Sequence, residues 1–238
     1  MSVASLPLPF DPPPRAPHGA PKQTATLAGE SVVLHASRAL EWPRERTLFV
    51  ADVHLGKAAA FRAAGVPLPR GSTSTDLRRL DELIAQTSAQ HLVVLGDLLH
   101  ARAGRVAALT RAFVAWRTHH PNVDVVLVRG NHDAHAGDPP AEWRVRCVDA
   151  PHPLPPFLAC HQIEKPRSGY ALCGHLHPAM RIEAGGESER LPCFVLGPSH
   201  AILPAFGRFT GMADITPSPD ERIVAIAGDA LFELPRVR

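Results

Sequence analysis

The chain has 238 residues, of which 45% are hydrophobic and 20% charged, so it can bury one sizeable core and is not disordered as a whole. A formal net charge of +2 excludes the strongly basic balance that by itself announces a nucleic-acid binder. The four cysteines form no Cys-x-x-Cys pair, the N-terminus has no signal-like apolar run, and no stretch approaches the roughly 18 apolar residues of a membrane helix. These features predict a cytoplasmic protein that makes no membrane contact.

Residues 1–23 hold 7 of the 25 prolines, including Pro12-Pro13-Pro14, and read as a disordered tail ahead of a single domain over residues 24–238. Strands are expected at Ser31–His35 and Thr47–Ala51, separated by a turn around Trp42-Pro43-Arg44. After a Pro/Gly loop, Ser72–Thr75 offers N-cap candidates and Asp76 suits a first turn, while Leu77, Leu80, Leu83 and Ile84 recur at helical spacing. A strand at Leu92–Leu95 follows. A second helix is expected from Gly104 to Thr118, with Val106, Leu109, Phe113 and Trp116 on one face, and then a buried strand at Val125–Val128. Strand–helix alternation argues for an α/β core. Beyond Asp133 only short strands are visible, at Val145–Val148, Phe157–Cys160, Tyr170–Cys173, Cys193–Leu196 and Ile223–Ile226, which predicts a second sheet facing the first.

Five of these apolar runs end in potential metal ligands: Asp52 and His54, Asp97, Asn131, His161, and then His175 and His177. An Asp-x-His pair alone is a weak signal. Residues two apart on an extended segment do point to one side, as two ligands to one ion require, and α/β sheets bind ligands at the carboxyl edge of their strands. The seven donors exceed what a single site with an open position needs, so two metals sharing a bridging carboxylate fit better. Imidazole and carboxylate without thiolate suit Mn²⁺, Fe²⁺, Zn²⁺ or Co²⁺ rather than an all-oxygen cage.

The series Asp52-x-His54, Gly96-Asp97, Gly130-Asn131-His132-Asp133, His161 and Gly174-His175-x-His177 resembles the calcineurin-like metallophosphoesterases. The resemblance implies a four-layer α/β/β/α sandwich, two facing mixed sheets flanked by helices. It also implies that Asp52, His54, Asp97 and His177 hold one metal and Asp97, Asn131, His161 and His175 the other, with Mn²⁺ the first choice of ion. By the same resemblance His132 is catalytic, contacting the scissile phosphate and the leaving oxygen, and Asp133 orients its imidazole. A hydroxide activated between the two metals would attack phosphorus. Cys160 stands where the wider superfamily often has glycine before this histidine.

Trp42-Pro43, Asp52–Lys57, Phe61-Arg62, Gly96–His100, Leu191–Phe194 and Leu203–Gly211 are similar to the bacterial ligase-associated DNA damage response endonucleases. That branch implies phosphodiester hydrolysis in DNA, single-stranded or with unpaired regions, and an association with repair ligase and helicase-nuclease partners. Lys57, Arg62 and His100 are candidate substrate contacts. Phe194, Phe206 and Phe209 read as core rather than as a base-stacking platform. Two alternatives stand beside the nuclease: a phosphodiesterase or phosphatase for small nucleotides, and a non-catalytic scaffold, which the complete ligand set argues against.

Overall fold

The computed structural model of the chain describes residues 21–68, 71–163, 169–184 and 186–235. Two mixed sheets face each other. The first runs in sequence order through β1 (Lys22–Leu27), β2 (Glu30–His35), β3 (Ala39–Trp42), β4 (Thr47–Val50), β5 (His91–Leu95), β6 (Asp124–Val128) and β7 (Val145–Val148). β1 to β4 pair antiparallel through short turns, and β4 to β7 pair parallel because helices intervene.

The helices are α1 (Lys57–Ala63), α2 (Ser72–Thr87), α3 (Ala107–His119) and α4 (Asn131–Ala136). Period-two alternation splits the first sheet cleanly. Leu48, Val50, Val94 and Leu127 meet Leu77, Leu80 and Leu83 of α2 and Leu109, Phe113 and Trp116 of α3 on one face. Phe49, Val93, Leu95, Val126 and Val128 point the other way, against Phe157, Tyr170, Leu172, Phe194 and Leu196 of the second sheet. Each such buried side chain contributes about 1.5–3 kcal/mol of transfer free energy.

The second sheet takes β8 (His152–Leu154), β9 (Phe157–Ala159), β10 (Tyr170–Cys173), β11 (Pro178–Ala184), β12 (Glu187–Leu196), β13 (His200–Ile202), β14 (Ala213–Asp214), β15 (Arg222–Ala227) and β16 (Ala230–Glu233). Its order is β14-β11-β12-β13-β10-β9-β8, with β15 also on β12 and β16 on β15. The expected outer helical layer on this side is missing among the described residues. Among the described residues no α-helix follows α4, and the outward-facing Cys193, Val195, Ile202 and Ile223 are covered instead by Met180, Leu191, Ile215 and Leu234.

Local boundaries shift for identifiable reasons. The Pro-rich segment through residue 20 lies outside the described residues, but Lys22 and Gln23, expected in the tail, already pair with His35 and Leu34. Gly71, not a serine or threonine, caps α2, and the Thr75 hydroxyl donates to the Gly71 carbonyl. α3 begins at Ala107 after a 3₁₀ turn at Arg102–Gly104, so Val106 is an exposed cap rather than part of the buried face.

Candidate metal centre

Strand register brings the ligands together. Val50 lies opposite Val94 and Leu95 opposite Val128, so β4, β5 and β6 end level and their next residues leave from one edge. β9 and β10 are parallel as well, and their ends deliver His161, His175 and His177 to the same edge. The two sheets are tied there by the His175 amide, which donates to Asp52 Oδ2 at 2.9 Å.

The backbone differs from the extended arrangement expected for Asp52-x-His54. Asp52 and His54 have φ of 54° and 50°, and Asp97, His175 and His177 lie at 53°, 70° and 48°. Alternate left-handed residues, rather than the pleat of a strand, turn each pair of side chains to one side. Asp, Asn and His are the non-glycine residues that tolerate this region best, at a cost of order 1–3 kcal/mol each. Two glycines serve close approach. A Cβ on Gly96 would overlap the His161 imidazole, and one on Gly130 would overlap the Asp97 carboxylate.

All seven expected donors converge. His54 Nε2 is 3.3 Å from His177 Nε2 and 3.8 Å from Asp97 Oδ2, and His177 Nε2 is 3.4 Å from Asp52 Oδ1. His161 Nε2 is 2.9 Å from Asn131 Oδ1, 3.1 Å from His175 Nδ1 and 3.5 Å from Asp97 Oδ1. Asp97 faces both groups with separate oxygens. His161 Nδ1 lies 3.0 Å from the Leu95 carbonyl and His177 Nδ1 3.1 Å from the Gly211 carbonyl. Each Nδ1 therefore carries the proton that it donates, and Nε2 is the ring nitrogen turned to the cluster. These carbonyls leave no mark in a sequence.

The residues fit a metal. Asp52 Oδ1, turned to the cluster, is buried with no hydrogen-bond partner, an arrangement that is costly unless another charge completes it. Burial, reinforced by His177, Lys57, His132 and His100, pushes His54 down to about 2. Its ring is neutral at working pH, ready to bind a cation without first losing a proton, and its contact with Asp97 is not an ion pair. Burial likewise raises the Asp97 carboxyl, partly countered by His161, and lowers His175.

His132 stands beside this cluster at 38% side-chain exposure, its Nε2 4.0 Å from Asp97 Oδ2. Its expected partner is corrected. Asp133 does not orient the imidazole, because its carboxylate accepts the backbone N–H groups of Asp97 at 2.7 Å, Leu99 at 3.0 Å and Gly130 at 3.0 Å. The His100 carbonyl, 2.8 Å from His132 Nδ1, holds the ring instead.

His100 also stacks on His132 at 4.9 Å, and Phe61 on His100 at 5.9 Å, an aromatic row that spacing alone does not reveal. Burial, with Lys57 and His132 beside it, lowers His100 to about 4. Lys57, whose pKa burial lowers, lies close enough to act on both His54 and His100. Arg62 reaches the Leu68 carbonyl at 3.4 Å and lines a cavity between α1 and α3. Phe194 and Phe206 are core as expected, but Phe209 is 41% exposed.

A two-sheet sandwich whose strand ends gather carboxylate, amide and imidazole donors around one open edge defines a metal-dependent hydrolase of phosphate esters. The chain belongs to the calcineurin-like phosphoesterase family, whose model matches residues 45–177. Members bind a dinuclear divalent metal centre, and the groups Asp52–His54–His177 and Asp52–Asp97–His161 are candidate ligand sets here. Among solved structures it is similar to nuclease MPE of Pseudomonas putida, with 40% identity, a TM-score of 0.79, and coverage of 90% of this chain and 100% of that one. A phosphoesterase from E. coli, Yfce, aligns at 18% identity over 78% of this chain and 90% of its own, with a TM-score of 0.34. A comparison with curated protein sequences found no match. Among the described residues no helix is long and apolar enough to cross a membrane.

Proposed function

We propose that the chain is a phosphodiesterase acting on DNA, an endonuclease of single-stranded or unpaired regions that serves DNA repair alongside a ligase and a helicase-nuclease, with two Mn²⁺ ions as cofactor. The observation that carries the phosphodiester chemistry is His132, with one ring nitrogen tied to a carbonyl and the other open beside a complete donor set. Similarity to a nuclease over nearly the whole chain supports a polymeric substrate.

Asp52, His54, Asp97 and His177 would hold one ion and Asp97, Asn131, His161 and His175 the other. Two bound cations would lower the pKa of water and offset charge on the phosphoryl oxygens. His132 Nδ1–H donates to the His100 carbonyl, so proton exchange is confined to Nε2. The imidazolium can donate there to the departing oxygen and the neutral ring can take a proton back. Lys57 and His100, at the edge of the cluster, would contact the substrate.

The test is a circular single strand, which has no ends, incubated with and without Mn²⁺. Linearisation that needs Mn²⁺, and that drops about 10²–10⁴-fold in His132→Ala with metal content retained, is expected. An intact circle alongside hydrolysis of a small phosphodiester would overturn the polymer reading in favour of small nucleotides.

A further inference from the structure

A second feature of the same sheet edge lies on the far side of β4 from the ligands. β3 runs antiparallel to β4 with Leu40 opposite Phe49, so the 36–38 turn before β3 sits level with the end of β4. Segment 205–212 crosses that edge. The Phe206 amide donates to the Ala51 carbonyl at 2.8 Å and the Gly207 amide to that of Asp52 at 3.1 Å, while the Gly211 carbonyl fixes His177. Arg208 and Met212 of this segment, with Arg38 and Arg79, line a cavity of about 630 Å³.

The charge there is unbalanced. Arg79 donates to Asp76 at 3.3 Å, to the Phe206 carbonyl at 2.7 Å and to the Ser37 carbonyl at 2.6 Å, with its guanidinium 4.1 Å over the Phe206 ring. Arg38 donates to the Ala205 carbonyl, and neither Arg38 nor Arg208 has a carboxylate within ion-pair distance among the described residues. Burial, with repulsion among the guanidiniums added to it, holds Arg38 below the usual arginine range and Arg79 at about 10. Burial pushes Asp76, the carboxylate among them, up to about 6. The cavity wall also carries Lys22 and Arg190 beside the acids Glu82, Glu189 and Asp229, so its bases outnumber its acids five to three. Beside Arg208, Phe209 leaves its ring exposed.

We infer that the cavity of Arg38, Arg79 and Arg208, with the Phe209 ring, is a strand-binding subsite. It takes backbone phosphates of a single-stranded nucleic acid a short distance from the phosphodiester held at the ligand cluster, and stacks a base on Phe209. Guanidiniums suit phosphate, two of them here held by backbone carbonyls, and a cationic track beside an exposed aromatic ring is what an unpaired strand requires. Segment 205–212 joins the two sites covalently. This inference rests on the polymer reading above.

The test compares the metal-loaded protein with Arg208→Ala and Phe209→Ala, both exposed positions, by the kcat and KM of single-strand cleavage at several salt concentrations. Either variant should raise KM about tenfold with kcat within twofold. Arg208→Ala should also flatten the dependence of log KM on log salt by about 0.7 for each phosphate no longer neutralised, and Arg208→Lys should restore part of KM. Unchanged KM and salt slope in both variants would overturn the subsite. So would a mononucleotide competing as strongly as an oligonucleotide at equal phosphate concentration, since that marks an isolated phosphate site. If the wild-type protein does not cleave the strand at all, the polymer reading itself fails, and the subsite with it.

Discussion

Asp133 shows how far a residue's type can be legible while its task is not. The sequence places a carboxylate beside His132, and orienting the ring is the expected role. The buried carboxylate instead gathers three amides from two loops, so it shapes the backbone that carries Asp97 and His132. Asp133→Ala would leave those amides without a partner at about 1–3 kcal/mol for each group. The midpoint of denaturant unfolding should fall by an amount equivalent to several kcal/mol, and metal affinity should fall about 10–100-fold because the ligand loops lose their support. Unaltered stability and metal content would refute that role. Histidines outside the cluster are likewise assigned only by their neighbours: His35, His120 and His200 are bonded to Glu41, Asp81 and Glu221.

At the scale of elements, α2 was recognisable from its leucine spacing, but its tie to the edge of the sheet was not. Asp76 reads as a first-turn acid, yet it is buried and joins Arg79 in linking the helix to the 37–38 turn and to segment 205–208. Its folded pKa, about 6, lies above the ordinary value of 3.8. Between those values the folded chain holds a proton that the unfolded chain has lost, so this group's contribution to stability is full below about pH 4 and is lost as pH rises through 6. The unfolding free energy of the wild type relative to Asp76→Asn should therefore decline by on the order of 1–3 kcal/mol from pH 4 to 7. A flat or rising difference would contradict burial as the dominant cause.

Across the whole molecule, the candidate ligands come from both sheets, so a bound cation would bridge the layers and prefer the folded chain. Chelation should destabilise the protein by about 2.7 kcal/mol where the free metal had stood at 100 times its dissociation constant, lowering Tm by roughly 5–10 °C. Equal Tm with and without metal would show that the donors do not act as one centre.

The sequence by itself determined the parallel core strands and the helices that cover them, and it marked seven candidate donors that the fold brings together. Each of these is written locally, as an apolar run, a helical repeat or a polar residue at a strand end. Tertiary structure alone decided what lies between distant segments. The left-handed turns that aim the ligands, the carbonyls that fix the His132, His161 and His177 protons, and the arginines meeting beside segment 205–212 all depend on where backbone groups far apart in the chain come to rest. A residue's letter carries its chemistry but not its partner, and it was the register of β3 against β4 and of β4 against β5 and β6 that supplied the partners.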